Sequence, residues 1–267
     1  MLDTYVWLHI LSAFIVGGLW IATTTLIADR FGSKIGWFLW WLPSTSVLAF
    51  FFVSLIHSPA IVAHSTNTFP LIEWFTWLFV VIYVLLARKT GFWAAISIAF
   101  LVWFLLAGTI VLSWFNSFGW SLLLYGIILV GSYIILEKCF SIPSAKGISI
   151  KKTTSQFLRR AVFGGLVIAF AVFASKIWWV IFGVIFAAFP AMFSTTLIIW
   201  YFSRWLEFSL SLAKSLVVTG LITVVIYAMA VRYLYPPLWI YRGTLCSLVI
   251  ILLVSYLTYI FVQKKLK

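Results

Sequence analysis

GGLWIA (Gly17 to Ala22) and GGLVIA (Gly164 to Ala169) are nearly the same hexapeptide, spelled twice and 147 residues apart. Three further echoes follow in the same order. VVIY at Val80–Tyr83 recurs at Val224–Tyr227, and each copy is followed, after four more residues, by an arginine, Arg88 or Arg232. SKIGW (Ser33 to Trp37) returns as SKIWW (Ser175 to Trp179). Pro43 with Ser44, Thr45 and Ser46 has a counterpart in Pro190 with Ser194, Thr195 and Thr196, and His57 and Arg204 each lie 14 residues after their proline. One such match is weak in apolar sequence. Four in one order predict an internal repeat.

The composition says what kind of chain carries it. Of the 267 residues, 65% are hydrophobic and 9% charged, against about 25% charged in a soluble domain. Apolar runs of about 20 residues, each long enough to cross a bilayer as a helix, recur along most of the length. The alternating segments of roughly 10 residues that mark a transmembrane β-barrel do not occur. The expected fold class is therefore an all-α polytopic membrane protein. The net charge of +13 does not point to nucleic acid, because the basic residues fall between the apolar spans, where topology signals belong. The start, MLDTYVWLHI, lacks a positive n-region and is not read as a cleaved signal peptide. Cys139 and Cys246 have no metal or redox spacing. Phosphate-loop, HExxH and paired-carboxylate motifs are absent, so no cofactor, metal or enzyme activity is expected.

Nine spans are predicted, at 4–28, 36–57, 66–87, 91–115, 117–137, 158–175, 178–202, 208–231 and 238–262. With the N-terminus outside and the C-terminus inside, 14 of the 18 Lys and Arg face the cytoplasm, and only Lys176, Arg232 and Arg242 lie outside. The domain reading is a first repeat at 1–116 (spans 1–4), a linking span and basic loop at 117–157, and a second repeat at 158–267 (spans 6–9). The shift of five spans is odd, so corresponding helices would cross in opposite directions: an inverted-topology repeat. The loop SIPSAKGISIKKTTSQ is short, polar and basic and reads as a linker at an anionic lipid surface.

Inverted halves are the geometry of many secondary transporters, whose sites form at matching interrupted helices. That points to Pro43 with Ser44, Thr45 and Ser46, and to Pro190 with Ser194, Thr195 and Thr196, as substrate-binding segments. Two charges fall well inside predicted spans, Glu73 in TFPLIEWFTW and Lys214 in SLAKSLVVTG. Ionisable groups in hydrocarbon are costly and usually face a cavity or a partner. Lys214 is expected to attract an anionic group on the substrate, and Glu73 to be a protonatable coupling residue; a direct ion pair between them is one arrangement. Each lies within two turns of its helix start, so snorkelling to the interface competes with both roles. His57 and Arg204 are candidate gate residues. His57 and His64 are about 10.5 Å apart along a helix, too far for a shared metal. The Trp clusters WFLWW, WFTW and KIWW read as interfacial belts, and the repeated glycines as packing residues that let helices approach.

The half-plus-half arrangement resembles the drug/metabolite transporter architecture over most of the chain, although that architecture usually has ten spans. The resemblance implies a secondary transporter of a small organic solute, with the lipid bilayer and the solute as partners. The alternatives are a flippase for a lipid or lipid-linked head group, a membrane-embedded enzyme, a channel, or a structural subunit.

Overall fold

The computed structural model describes residues 3–30, 43–113, 116–139 and 154–265. Every regular element among them is helical: α1 (Thr4–Arg30), α2 (Ser44–Ile56), α3 (Pro59–Ser65), α4 (Phe69–Thr90), α5 (Phe92–Leu112), α6 (Phe118–Cys139), α7 (Thr154–Ile177), α8 (Val180–Ala187) and α9 (Ala191–Lys265), with a 3₁₀ turn at Thr66–Thr68. Five stretches among the described residues are long and apolar enough to cross a membrane: Thr4–Thr24, Pro59–Ala87, Phe92–Leu112, Phe157–Ile177 and Thr223–Leu257. This fits a multi-pass helical membrane protein. The outer faces agree: α1 exposes Leu8, Leu11, Ile15 and Leu19, and α5 exposes Leu101, Phe104, Leu105 and Leu112. Such continuous apolar surface is a liability in water and costs nothing in lipid. Apolar burial cannot then drive helix association, so packing geometry and polar contacts must.

Contacts divide the chain into two compact units, each drawing on both halves of the sequence. The first comprises Met1–Thr66, Ser149–Ala187 and Ile222–Lys267. Its centre is the pairing of α1 with α7, made by the two repeated hexapeptides against each other. A Cβ added at Gly17 would come within 2.6 Å of Ile168 Cδ1, and one at Gly164 within 2.6 Å of Ile21 Cδ1. A Cβ at Gly18 would strike the carbonyl oxygen of Ala161, and one at Gly165 that of Phe14. These contacts are reciprocal: adding 147 to one partner and subtracting 147 from the other turns each contact into its mate, as across an isologous interface. The earlier α1 positions, 14 and 17, meet the later α7 positions, 165 and 168, so the helices run antiparallel.

The short helices fill the flanks of this pair. Tyr5 Oη donates to Leu55 O at 3.3 Å, tying the start of α1 to the end of α2. α8 runs back along both α2 and α7: Gly183 lies against Val53, Ala171 and Ser175, and Ser46 Oγ donates to Ala187 O at 2.9 Å. The span Thr223–Leu257 has 35 residues, about 52 Å of continuous helix and far more than the roughly 30 Å hydrocarbon core. The chain resolves this by doubling back. Pro236 and Pro237 lie inside α9, Trp239 takes φ 63°, and Tyr235 Oη and Thr244 Oγ1, nine positions apart, are 2.8 Å from each other.

The second unit comprises Asn67–Ile148 and Ala188–Leu221. α4 packs on both α5 and α6. Gly91 joins α4 to α5 with φ 81° and ψ 170°, a region essentially reserved for glycine. Rings make much of the remaining core. Phe189 packs on Phe100 (centroids 5.5 Å), Trp103 (5.3 Å) and Phe104 (5.9 Å), and Phe92 stacks on Tyr201 at 4.1 Å.

Candidate functional site

The strongest concentration of uncompensated polarity in the second unit surrounds Glu73. α4 begins at Phe69 with Pro70 in its first turn, where the missing amide is no loss, and this sets Glu73 one turn inside. Its side chain is 3% exposed, and Oε2 has no hydrogen-bond partner among the described residues. α6 packs on α4 and carries two further open groups. Tyr125 lies within Coulombic reach of Glu73, and Ser121 precedes it by four residues, hence on the same helix face. Both are buried, and neither hydroxyl has a partner. Thr68 Oγ1 and Trp74 Nε1, close by in sequence, are also buried without partners. Most buried polar groups are satisfied, so a carboxyl and hydroxyls left open together mark a place for a ligand, ion or water. Asn67, by contrast, donates to Asn116 Oδ1 at 2.6 Å and pins the entrance of α4 to the chain just before α6.

The two proline segments have matching local geometry. Pro43 O accepts from Val47 N at 2.8 Å, and Pro190 O accepts from Ser194 N at 2.8 Å. Each proline therefore precedes a helix, α2 or α9. At Pro190 the reason is steric, since the residue before a proline, here Phe189, avoids the α region. At the second segment α8 stops at Ala187 and α9 starts at Ala191. The freed carbonyls are taken up by hydroxyls, as a membrane interior requires. In the first unit Ser46 serves Ala187. In the second, Thr76 Oγ1 donates to Ala188 O at 2.7 Å and accepts from Trp103 Nε1 at 3.1 Å, and Ser194 Oγ bonds Pro190 O. Ser44 and Thr45 are buried, and Ser44 Oγ has no partner among the described residues. Thr195, Thr196, Arg204 and Lys214 lie on α9, and their side chains fall outside the described residues.

His57 follows α2 at its C-cap, outside the helical spans. Burial lowers its pKa from the ordinary 6.5, the nearby Lys176 charge lowers it further, and a backbone hydrogen bond at Ser175 opposes both. Its Nε2 is buried without a partner. Among the described residues no three His, Cys, Asp or Glu side chains come together as metal ligands would.

Sequence reasoning missed Ser121 and Tyr125. Their signal was available, as two hydroxyls four residues apart in the apolar run SLLLY, but only the packing of α6 on α4 connects them to Glu73. It also missed the buried hydroxyls of the first unit, where Tyr227, Tyr235 and Ser247 are fully buried and Tyr227 stacks on Phe50 at 6.1 Å. Comparison with protein-family models, with curated proteins and with solved structures finds no match for this chain.

Proposed function

We propose that this protein is a secondary transporter of a small organic solute, working by alternating access between two inverted repeats in the cell membrane. In this reading nine spans cross the bilayer, with the N-terminus outside and the C-terminus in the cytoplasm. The observation that carries the proposal is the reciprocal packing of Gly17–Ala22 on Gly164–Ala169 in antiparallel helices. A helix and its repeat mate that meet head to tail at their own repeated motif are what an in-plane pseudo-two-fold axis produces. Three further features support it. The two prolines accept matching hydrogen bonds 147 residues apart. Tyr83 and Tyr227 of the repeated VVIY are both fully buried. Gly91 and Trp239, both at positive φ and 148 residues apart, turn the α4–α5 hairpin and the α9 reversal.

The substrate class follows from charge. Lys214 within α9 would draw an anionic group, while Glu73 would couple solute movement to a cation. The test is a screen for ligand-induced thermal stabilisation, because binding to the folded state raises apparent stability by mass action. The panel holds organic anions, amino acids, nucleosides, quaternary amines and lipid phosphates, and each hit is reconstituted in proteoliposomes. The expected result is an organic anion that stabilises the wild type but not Lys214→Ala and crosses the vesicle membrane only when protein is present. A panel with no hit, or a hit that protein-containing vesicles take up no faster than bare ones, overturns the transporter reading. A lipid phosphate as sole hit replaces it with a flippase.

A further inference from the structure

The open groups around Glu73 have a composition that selects an occupant. The site offers one carboxyl and two neutral hydroxyls on residues at least nine-tenths buried, and Glu73 Oε2, Ser121 Oγ and Tyr125 Oη have no partner among the described residues. An ionised carboxyl alone in a low-dielectric interior carries a large desolvation cost that a single positive charge removes. A divalent ion would leave the site with a net charge and usually takes several carboxylates or carbonyls, and among the described residues no three His, Cys, Asp or Glu side chains gather as its ligands would. A neutral organic ligand would leave the carboxyl uncompensated. Both hydroxyls carry lone pairs that can turn to a bound cation.

We propose that Glu73, Ser121 and Tyr125 form a binding site for one small monovalent cation, Na⁺ or a proton, held between α4 and α6. This deepens the reading of Glu73 as the coupling residue and rests on it. Ser121 and Tyr125 are the neutral ligands that complete the site, the hydroxyls serving Na⁺ directly, or solvating the carboxyl while it exchanges a proton. The reaction is simple binding: Glu73–COO⁻ plus the cation gives a neutral, occupied site.

The test measures binding, not transport, on the purified full-length protein in detergent. Unfolding midpoints are compared in NaCl and in choline chloride at equal ionic strength, over a range from mildly acidic to mildly alkaline pH. For a Na⁺ site, NaCl stabilises the wild type over choline at alkaline pH, and Glu73→Gln abolishes the difference. For a proton site, acidification stabilises the wild type in either salt, and the pH response flattens in Glu73→Gln. In both arms Ser121→Ala and Tyr125→Phe weaken the half-saturation point by about tenfold, the scale of one hydrogen bond to a charged group. Identical salt and pH responses in wild type and Glu73→Gln overturn the site. A response that depends on Glu73 but is unmoved in both α6 variants overturns the assignment of Ser121 and Tyr125. Glu73→Gln keeps the shape of the side chain, and Tyr125→Phe removes one oxygen, so both are expected to fold. Cation binding without solute transport would leave this site standing while the transporter reading fell; solute transport without cation binding would do the reverse.

Discussion

Around Gly18 and Gly165 the backbones of α1 and α7 touch, whereas around Phe189 the second unit is held by rings whose centroids stand 5–6 Å apart. Lipid offers no hydrophobic gain for bringing helices together, and the two units answer this differently. The first brings main chains close, so that dispersion contacts accumulate along both helices. The second interlocks large side chains. The unpartnered groups divide in the same way. Those of the first unit's spans are neutral hydroxyls, such as Ser54, Tyr227, Ser247 and Ser255, while the second unit holds the buried carboxyl of Glu73. Tight main-chain contact suits a pivot.

The sharpest way to break this comparison is to add one methyl group at each glycine of the repeated pair. Gly18→Ala and Gly165→Ala drive a Cβ into a carbonyl oxygen that belongs to a helix backbone and cannot rotate away. Each is expected to destabilise the protein by about 2–3 kcal/mol or more, the upper range for overpacking. Gly17→Ala and Gly164→Ala meet an isoleucine side chain, whose Cδ1 can swing away while its Cβ, 3.2–3.3 Å off, must give slightly, and should cost less, about 1–2 kcal/mol. Unfolding in mixed micelles would give the four values. Equal costs at all four positions would mean that main-chain approach is not what holds α1 to α7.

A smaller effect is expected at Gly91 in the second unit. No atom lies within 4 Å of a Cβ added there, so Gly91→Ala tests backbone conformation alone. At φ 81° and ψ 170° the expected cost is about 1–2 kcal/mol, read from the same unfolding assay. A neutral result would mean that the α4–α5 turn adopts an ordinary conformation, and its kinship with the turn at Trp239 would lapse.

The smallest effect concerns His57, at the edge of the first unit. Its folded pKa lies below the unfolded 6.5, chiefly through burial and then through Lys176. Above 6.5 both states are neutral and stability is at its full value. As pH falls through 6.5 the unfolded chain takes up a proton before the folded one does, so stability declines until the folded pKa is passed. His57→Asn should remove this decline, while Lys176→Gln should reduce it. Melting curves on either side of pH 6.5 check both, and a decline of the same size in His57→Asn would assign it to another group.

Much of the fold was legible from short-range rules. Apolar runs of membrane length announced helices, and the predicted spans 208–231 and 238–262 left a break where Pro236 and Pro237 interrupt α9. The glycine pairs read as packing residues because only they let backbones meet. Other features were legible only in part. The break at Pro190 was legible, and one helix does stop and the next start there, but the hydroxyls that take up the freed carbonyls, Ser46 and Thr76, stand more than 100 residues away in sequence. Glu73 was visible as a buried charge, but its neighbours Ser121 and Tyr125 lie about 50 residues away in sequence, beyond the reach of any local pattern.

By itself the sequence determined the medium, the helical class and the existence of two echoing segments, because hydropathy and periodicity are local properties carried by each residue wherever it ends up. Only the tertiary structure decided that the two hexapeptides face each other, and which helix, with its open hydroxyls, packs on the one that buries Glu73. Those are matters of which helix packs on which, and in a membrane they are settled by the fit of surfaces rather than by the hydrophobicity that the sequence displays.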